Sequence, residues 1–367
     1  MCKWHSAGTD IHRCACFPWG RRIRLKSNRT GFQHVPEKTA SSLDPRLQAL
    51  GLTSPVALAP MAGITDLPMR TLVQSFGAGL VVSEMVASRE MVQAKPSVRD
   101  RAELGAELDG TSVQIAGREA YWMAEAARVL AGQGARIVDI NMGCPAKKVV
   151  GGASGSALLR DHDHAMRLIE AVVGAVDVPV TLKTRLGWDD DSLNTAALAR
   201  RAEAAGIRML TIHGRTRCQF YKGHADWAAV QEIVEAVAVP VLVNGDILDS
   251  ADARAALRAS GAAGVMIGRG IQGCPWICAE VAADLGYGPA PVVPEGEALI
   301  AMVRGHYDAM LDFYGPLGAR AARKHLGWYM DRAGTVPGLR RQVLTAPPDD
   351  VRNLLDLALR PVLEAAA

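Results

Sequence analysis

Aromatic residues are scarce in this 367-residue chain, at 5%, although hydrophobic residues reach 49%. A core must therefore be packed with Ala, Val, Leu and Ile, and the length suffices for one large domain and a small one. No apolar run approaches the ~18 residues of a membrane-spanning helix, and the head of the chain lacks the continuous apolar core of a secretory signal. The seven cysteines, at positions 2, 14, 16, 144, 218, 274 and 278, are odd in number and irregular in spacing. That excludes a disulfide framework as the organising device and fits a reducing, cytoplasmic setting. An excess of one charge is also missing from most of the chain: residues 1–45 hold 8 Lys/Arg against 3 Asp/Glu, while residues 46–367 hold 33 against 35. The body is no general polyanion binder, and any nucleic-acid surface must be a local patch.

Residues 1–45 read as a basic extension outside the fold: a disordered arm, an amphipathic targeting peptide, or the product of a start assigned upstream of one near Val35 or Leu52. His12, Cys14 and Cys16 lack a second pair of ligands and make a weak metal motif. From residue 54 onward, β-branched runs alternate with Ala-rich stretches of helical period. The expected strands are Val56–Ala59, Leu80–Ser83, Ser112–Ile115, Ile137–Ile140, Val180–Lys183, Leu210–His213, Val241–Asn244 and Val265–Gly268. Eight strand–helix units, with strands too continuously apolar to face water, predict a closed parallel (β/α)8 barrel over residues 46–290. After the proline-rich break at 289–294, residues 291–367 predict helices only, forming a small domain. Its stretch 320–341 carries Arg320, Arg323, Lys324, Arg332, Arg340 and Arg341 against one acid, Asp331. Such a charge run is either a solvated face or a phosphate-binding one.

The chemistry of a barrel of this kind sits at the C-terminal ends of its strands. Those ends carry Pro60-Met61-Ala62, Glu84, Gln114, Asn141 with Cys144, Lys183 with Arg185, His213, Asn244-Gly245-Asp246 and Gly268-Arg269-Gly270. The glycine-rich turns after the last two strands either serve tight turns alone or leave backbone N–H groups free as a phosphate cradle, with Arg269 as a clamp. The match of residues 268–273 to G-x-G-x-x-G follows the eighth strand and lacks the βαβ unit of a dinucleotide fingerprint. A phosphate site to one side, Gln114 and Lys183 between, and no metal cluster suggest an organic cofactor such as flavin mononucleotide. Gln114 would serve a ring edge, and a lysine cation would stabilise the reduced ring.

Cys144 stands in Asp139-Ile-Asn-Met-Gly-Cys-Pro-Ala-Lys-Lys148, with the glycine- and serine-rich segment 151–156 behind it. No Cys–His motif marks it as a nucleophile and no C-x-x-C spacing as a metal ligand. A thiol with an ordinary pKa of about 8.5 is mostly protonated at neutral pH and can donate a proton. The segment behind it is expected to be a mobile loop that lets the cysteine close over a substrate; the alternative is an inert loop cysteine. Asp161-His-Asp-His164 is expected to open a helix, Asp189–Asp191 to form a solvated cap before Leu193, and Cys274 and Cys278 to pack in a core.

These residues resemble a known family. Pro60-Met-Ala-Gly-Ile-Thr-Asp66, the Cys144 motif, Leu210-Thr-Ile-His-Gly-Arg-Thr216, Asn244-Gly-Asp246 and Ala322-Arg-Lys-His325 are similar to the bacterial tRNA-dihydrouridine synthases of the B type, from about residue 54 onward. The resemblance implies reduction of the C5=C6 bond of particular tRNA uridines, dependent on FMN and NADPH, with no metal, no membrane and no obligatory protein partner. It implies that Cys144 gives a proton to uracil C5, opposite the hydride arriving at C6. It further implies that Pro60, Met61 and Ala62 contact the isoalloxazine ring, and that Gln114, Lys183 and His213 meet its edge and the ribityl chain. Asn244, Gly245, Asp246, Gly268 and Arg269 would hold ribityl and phosphate, Asn141 the flipped uracil, and Arg320, Arg323 and Lys324 tRNA phosphates. The rivals are another FMN barrel acting on a small molecule, and an RNA-binding protein without turnover.

Overall fold

A computed structural model of the chain describes residues 42–93 and 111–360. The β-branched runs pair in parallel as β1 (Val56–Leu58), β2 (Leu80–Val82), β3 (Val86–Ala87), β4 (Thr111–Ala116), β5 (Ile137–Asn141), β6 (Val180–Arg185), β7 (Leu210–His213), β8 (Val241–Asn244) and β9 (Gly264–Ile267). Pairing of β1 with β9 and of β2 with β4 closes eight of them into a ring. The expected (β/α)8 barrel is therefore the observed one. The two-residue β3 was not foreseen; it extends the β4 edge above β2, and a run that short carries no period to read.

Two apolar layers hold the barrel together. The larger lies between strands and helices and includes Val113, Ile115, Val138, Ile140, Ile212 and Val243. The smaller lies inside the ring, where Leu80, Ile137, Met209, Leu242 and Met266 meet Leu47 and Leu52. Leu47 belongs to a short helix, Pro45–Ala49, which precedes β1 at the N-terminal end of the barrel. Helices start where acids cap them: Asp66 accepts from Met69 N–H, Asp161 from His164 N–H and Asp249 from Asp252 N–H. Asp161 thus opens the helix His162–Val173 as expected. The acids 189–191 do not cap one: Asp189 accepts from the Ser192 hydroxyl, and the helix begins only at Thr195.

Residues 296–359 form the helices Gly296–Tyr314, Gly318–Arg332, Pro337–Thr345 and Pro348–Leu359 around an apolar cluster of their own, including Val303, Met310, Leu326, Met330 and Leu355. The Tyr314 hydroxyl donates to Asp66 at 2.9 Å, tying this group to the first βα turn. Gly273, the last glycine of the G-x-G-x-x-G match, has φ +72°, and a β-carbon there would lie 2.6 Å from the carbonyl oxygen of Trp328. A glycine is required for that approach, which accounts for the motif without a dinucleotide. Among the described residues no helix is long and apolar enough to cross a membrane. Residues 1–41 of the basic extension, with His12, Cys14 and Cys16, lie outside the described residues, as do residues 361–367.

Candidate active site

At the C-terminal end of the ring the strands open on a cavity of about 620 Å³. Pro60, Met61 and Ala62 line one wall; Gln114, Asn141, Lys183, His213 and Asn244 line the floor and side; Gly245, Asp246, Gly268 and Arg269 line the far end; Cys144 stands at the edge. All thirteen residues expected at the strand ends for cofactor, proton or uracil meet in this one cavity. Glu84 does not line it; its carboxylate accepts from Gly63 N–H and braces the turn that carries residues 60–62.

The floor is a connected set of polar groups. Gln114 Nε2 donates to Asp139 Oδ2 at 2.7 Å, Asn141 Nδ2 donates to Gln114 Oε1 at 2.7 Å, and Asn141 Oδ1 accepts from the backbone of Gly143 and Cys144. Lys183 Nζ donates to Asn244 Oδ1 at 2.9 Å, and Asn244 Nδ2 to the Met266 carbonyl. Burial pushes the Lys183 ammonium down to about 8, and the Arg185 guanidinium beside it acts in the same direction. His213 falls well below its ordinary range, first through burial and then through the cations of Lys183, Arg185, Arg215 and Arg269. It is neutral at physiological pH. Arg215 Nη1 lies 3.4 Å from His213 Nε2; a guanidinium only donates, so the imidazole proton belongs on Nδ1.

Arg215 is almost wholly buried and grips the far end. It makes two bonds to the Asp246 carboxylate, at 3.0 and 2.5 Å, and others to the carbonyls of Lys222 and Gly223. Arg269 adds a third bond to Asp246 at 3.0 Å. Burial opposes ionisation of Asp246, but its bonds and the two guanidinium charges outweigh it and hold the carboxyl below its usual range. Arg269 and Gly270 open a short turn, Arg269–Ile271, whose first N–H groups have no partner within it.

The segment behind Cys144 differs from the mobile loop expected. Residues Lys147–Gly151 form a turn of helix and Gly155–Arg160 a 3₁₀ turn. The Ser156 amide and hydroxyl both donate to the Cys144 carbonyl, at 3.2 and 2.9 Å. Gly155, at φ +60°, permits this: a β-carbon there would lie 2.9 Å from the same carbonyl. Arg185 staples the other side, donating to the carbonyls of Gly143, Thr216 and Phe220. Gly155 therefore serves close approach, whereas a side chain on Gly151 would meet open space, and the cysteine turn is held on three sides.

Arg320 and Arg323 lie on the exposed face of helix Gly318–Arg332, with no ion-pair partner among the described residues. Lys324 is half-buried instead, and its ammonium lies 3.1 Å from the position a side chain on Gly63 would take. Arg340 pairs with Asp331 at 2.6 Å, and Arg332 lies over the Trp276 ring. Cys274 and Cys278 are buried in the main core, where burial pushes their thiols up to about 11 and about 12.

Sequence reasoning missed the roles of the supporting side chains. Arg185 was placed with Lys183 at its strand end, two residues away on the same face, but without its bracing role. Arg215 lay inside the His213 motif without a role. Tyr221, 57% exposed at the cavity edge with Arg185 and Arg269 near its ring, lies in an irregular stretch that carries no period.

The family model for dihydrouridine synthase (Dus) matches residues 57–349. A probable tRNA-dihydrouridine synthase of Rhodobacter capsulatus is 63% identical over 304 residues, 82% of this chain and 93% of the relative. One of Rhizobium leguminosarum bv. phaseoli is 56% identical over 283 residues, 76% of this chain and 85% of the relative. A tRNA-dihydrouridine synthase B of Xanthomonas campestris pv. campestris is 50% identical over 275 residues, 75% of this chain and 83% of the relative.

Proposed function

The chain belongs to the dihydrouridine synthase family, and from that premise we propose that it is a tRNA-dihydrouridine synthase, an oxidoreductase that saturates the C5=C6 bond of particular uridines in tRNA. The observation that carries the reading is Cys144, half-buried and held at the edge of a cavity whose inner wall presents N–H donors and cations. A volume of about 620 Å³ suits an organic cofactor with its substrate base.

The residues present fit FMN. Pro60, Met61 and Ala62 supply a flat, largely apolar wall for a ring. Gln114 and Lys183 offer donors to a carbonyl-bearing ring edge, and Lys183 keeps most of its charge at pH 7 with a value of about 8. Neutral His213 and Asn244 suit a polyol chain, and the turn at Gly268–Arg269 with Gly245–Asp246 suits a phosphate. Bound there and re-reduced by NADPH, FMN would supply the hydride equivalent for uracil C6.

The chain's own residues then do the rest. Cys144 gives its thiol proton to C5, so that the two hydrogens complete the saturated bond. Asn141 holds the cysteine turn and turns an N–H toward the uracil edge. Arg185 fixes the Gly143 carbonyl, so the thiol's position does not depend on the substrate. The uridine must leave its stack to enter. The helical residues 291–367 are read as the tRNA-binding domain, with Arg320 and Arg323 on phosphates and Lys324 nearer the cavity wall; this goes with a cytoplasmic protein that needs no other protein partner.

The test is dihydrouridine, measured by mass spectrometry, in tRNA lacking it after incubation with purified protein, FMN and NADPH. Product should form and fall by roughly 100-fold or more in Cys144→Ala, the scale of a lost general acid. A yellow, NADPH-reducible protein that forms no dihydrouridine would overturn the tRNA reading, and failure to take up FMN would overturn the flavoenzyme reading.

A further inference from the structure

Gln114, Asp139 and Thr181 are direct partners in the register of β4, β5 and β6. Asp139 is 5% exposed and does not line the cavity. It accepts from Thr181 Oγ1 at 2.5 Å on one oxygen and from Gln114 Nε2 at 2.7 Å on the other. The relay continues upward from Gln114 Oε1 to Asn141 Nδ2 at 2.7 Å, and from Asn141 Oδ1 to the N–H groups of Gly143 and Cys144 at 3.1 and 2.9 Å. An amide alone can be turned either way. Here both ends of the relay have a fixed sense, because backbone N–H groups only donate and a carboxylate only accepts. The two amides between them have a single consistent arrangement. Each uses one N–H in the relay and keeps one, and both residues face the cavity.

We propose that Asp139 is a positioning residue: as the acceptor at the base of the relay, it turns Gln114 and Asn141 so that their remaining N–H groups face the cavity and Asn141 holds the backbone of Cys144. A carboxylate in a barrel interior is costly, and an apolar side chain of similar size would ordinarily be no worse for stability. Burial does push the Asp139 carboxyl up, against the bonds from Thr181 and Gln114 and the charge of Lys183. What the group contributes is orientation. Without an acceptor below it, Gln114 Nε2 loses its fixed partner, and the amide is held from one side only, by Asn141 Nδ2 on its oxygen. The inference rests on the reading of Cys144 as the reacting group and deepens it.

Wild type, Asp139→Asn and Thr181→Val are compared as full-length proteins. Three quantities are read: FMN affinity by fluorescence titration, the iodoacetamide labelling rate of Cys144 relative to exposed Cys218 by mass spectrometry, and kcat and KM for tRNA at saturating FMN. The amide of Asp139→Asn keeps the volume but leaves one acceptor where two carboxylate oxygens served Thr181 and Gln114. This variant should weaken FMN and lower kcat by up to roughly tenfold each, the scale on which supporting partners act, with KM unchanged. Relative labelling of Cys144 should change severalfold. Thr181→Val should move the same readouts less, and decides alone if Asp139→Asn does not fold. Wild-type affinity, labelling ratio and kcat in folded variants would overturn the proposal, as would a loss explained wholly by a lower unfolding temperature. If wild type makes no dihydrouridine yet its labelling ratio shifts with the variants, the function reading fails and the positioning role stands.

Discussion

The two ends of the barrel interior are built from the same strands and to opposite purposes. At the N-terminal end, Leu80, Ile137, Met209, Leu242 and Met266 fill the ring with apolar side chains. Two to four residues further along β5 and β8 the inward positions become Asp139, Asn141 and Asn244, and Gln114 of β4 and Lys183 of β6 join them. The lower layer gains free energy from burial. The upper layer costs it, as the downward shift of Lys183 and the upward shift of Asp139 show, and retains buried polarity by satisfying it internally. Stability and chemistry are thus separated along the strand axis, so each can be altered with limited damage to the other.

Breaking the lower end tests that separation most severely. Leu242 is fully buried in the inner cluster, and Leu242→Ala should cost about 2–5 kcal/mol in denaturant unfolding. The fraction that remains folded should bind FMN with wild-type affinity. Weakened FMN binding per folded molecule would mean that the two ends are mechanically coupled.

At the upper end, Lys183→Met should preserve the unfolding midpoint or raise it, because an internal charge is removed, while weakening FMN by roughly 10- to 100-fold, the worth of a hydrogen bond to a charged group. The ammonium value of about 8 gives the pH sense. Wild-type affinity should fall as pH rises through about 8 and the cation is lost, whereas the variant should bind weakly and without that step. A titration from pH 7 to 9 that is flat in both proteins would remove Lys183 from the ring edge.

The separation along the strands also explains what could be read from the sequence. The eight strands and the rim residues were legible because β-branched runs mark the strands, and the residue that ends each one is fixed by counting. His213 follows from that alone; Lys183 stands two residues before the end of its strand, and Cys144, three residues past Asn141, was marked by its own motif. The braces were not legible: Arg185 and Arg215 reach carbonyls 31–42 and 7–8 residues away, respectively, and no local pattern announces such reach. Gly155 and Ser156 looked like a flexible loop because glycine and serine signal loops as often as they permit close contacts. Their partner, the Cys144 carbonyl, is visible only in three dimensions. Lys324 joined the basic run by composition and shares a helix face with Arg320, four residues before it, yet it is half-buried with its ammonium at Gly63, a contact no local pattern announces.

A third test concerns the charge at the first βα turn. Burial raises the Asp66 carboxyl from 3.8 to about 6, with the charge of Glu84 adding to it, against bonds from Met69 N–H and the Tyr314 hydroxyl and the charge of Lys324. A folded value above the unfolded one means that the native state binds the extra proton between about 4 and 6. Stability from this group is therefore present below the unfolded value and lost as pH rises through about 6, by at most about 3 kcal/mol. Asp66→Asn keeps a cap acceptor and abolishes that slope, so wild type should lose stability relative to the variant between pH 4 and pH 6. Parallel curves over that interval would show that Asp66 binds its proton alike in the folded and unfolded chains.

The smallest effect is expected where the upper end meets solvent, on the exposed face of helix Gly318–Arg332. Arg323 has no ion-pair partner among the described residues, whereas Arg340 is bound to Asp331 at 2.6 Å. A phosphate contact releases about one counterion, so Arg323→Ala should lower tRNA affinity a few-fold and reduce the slope of log K against log salt by about 1, leaving FMN binding untouched. Arg340→Ala should leave the slope as it was, because that guanidinium is already neutralised by its carboxylate. The pair of variants separates charge available to RNA from charge engaged within the fold. If Arg340 moves the slope and Arg323 does not, the RNA lies along the far end of the helix, and the contact assigned to Arg323 must pass to the residues around Asp331.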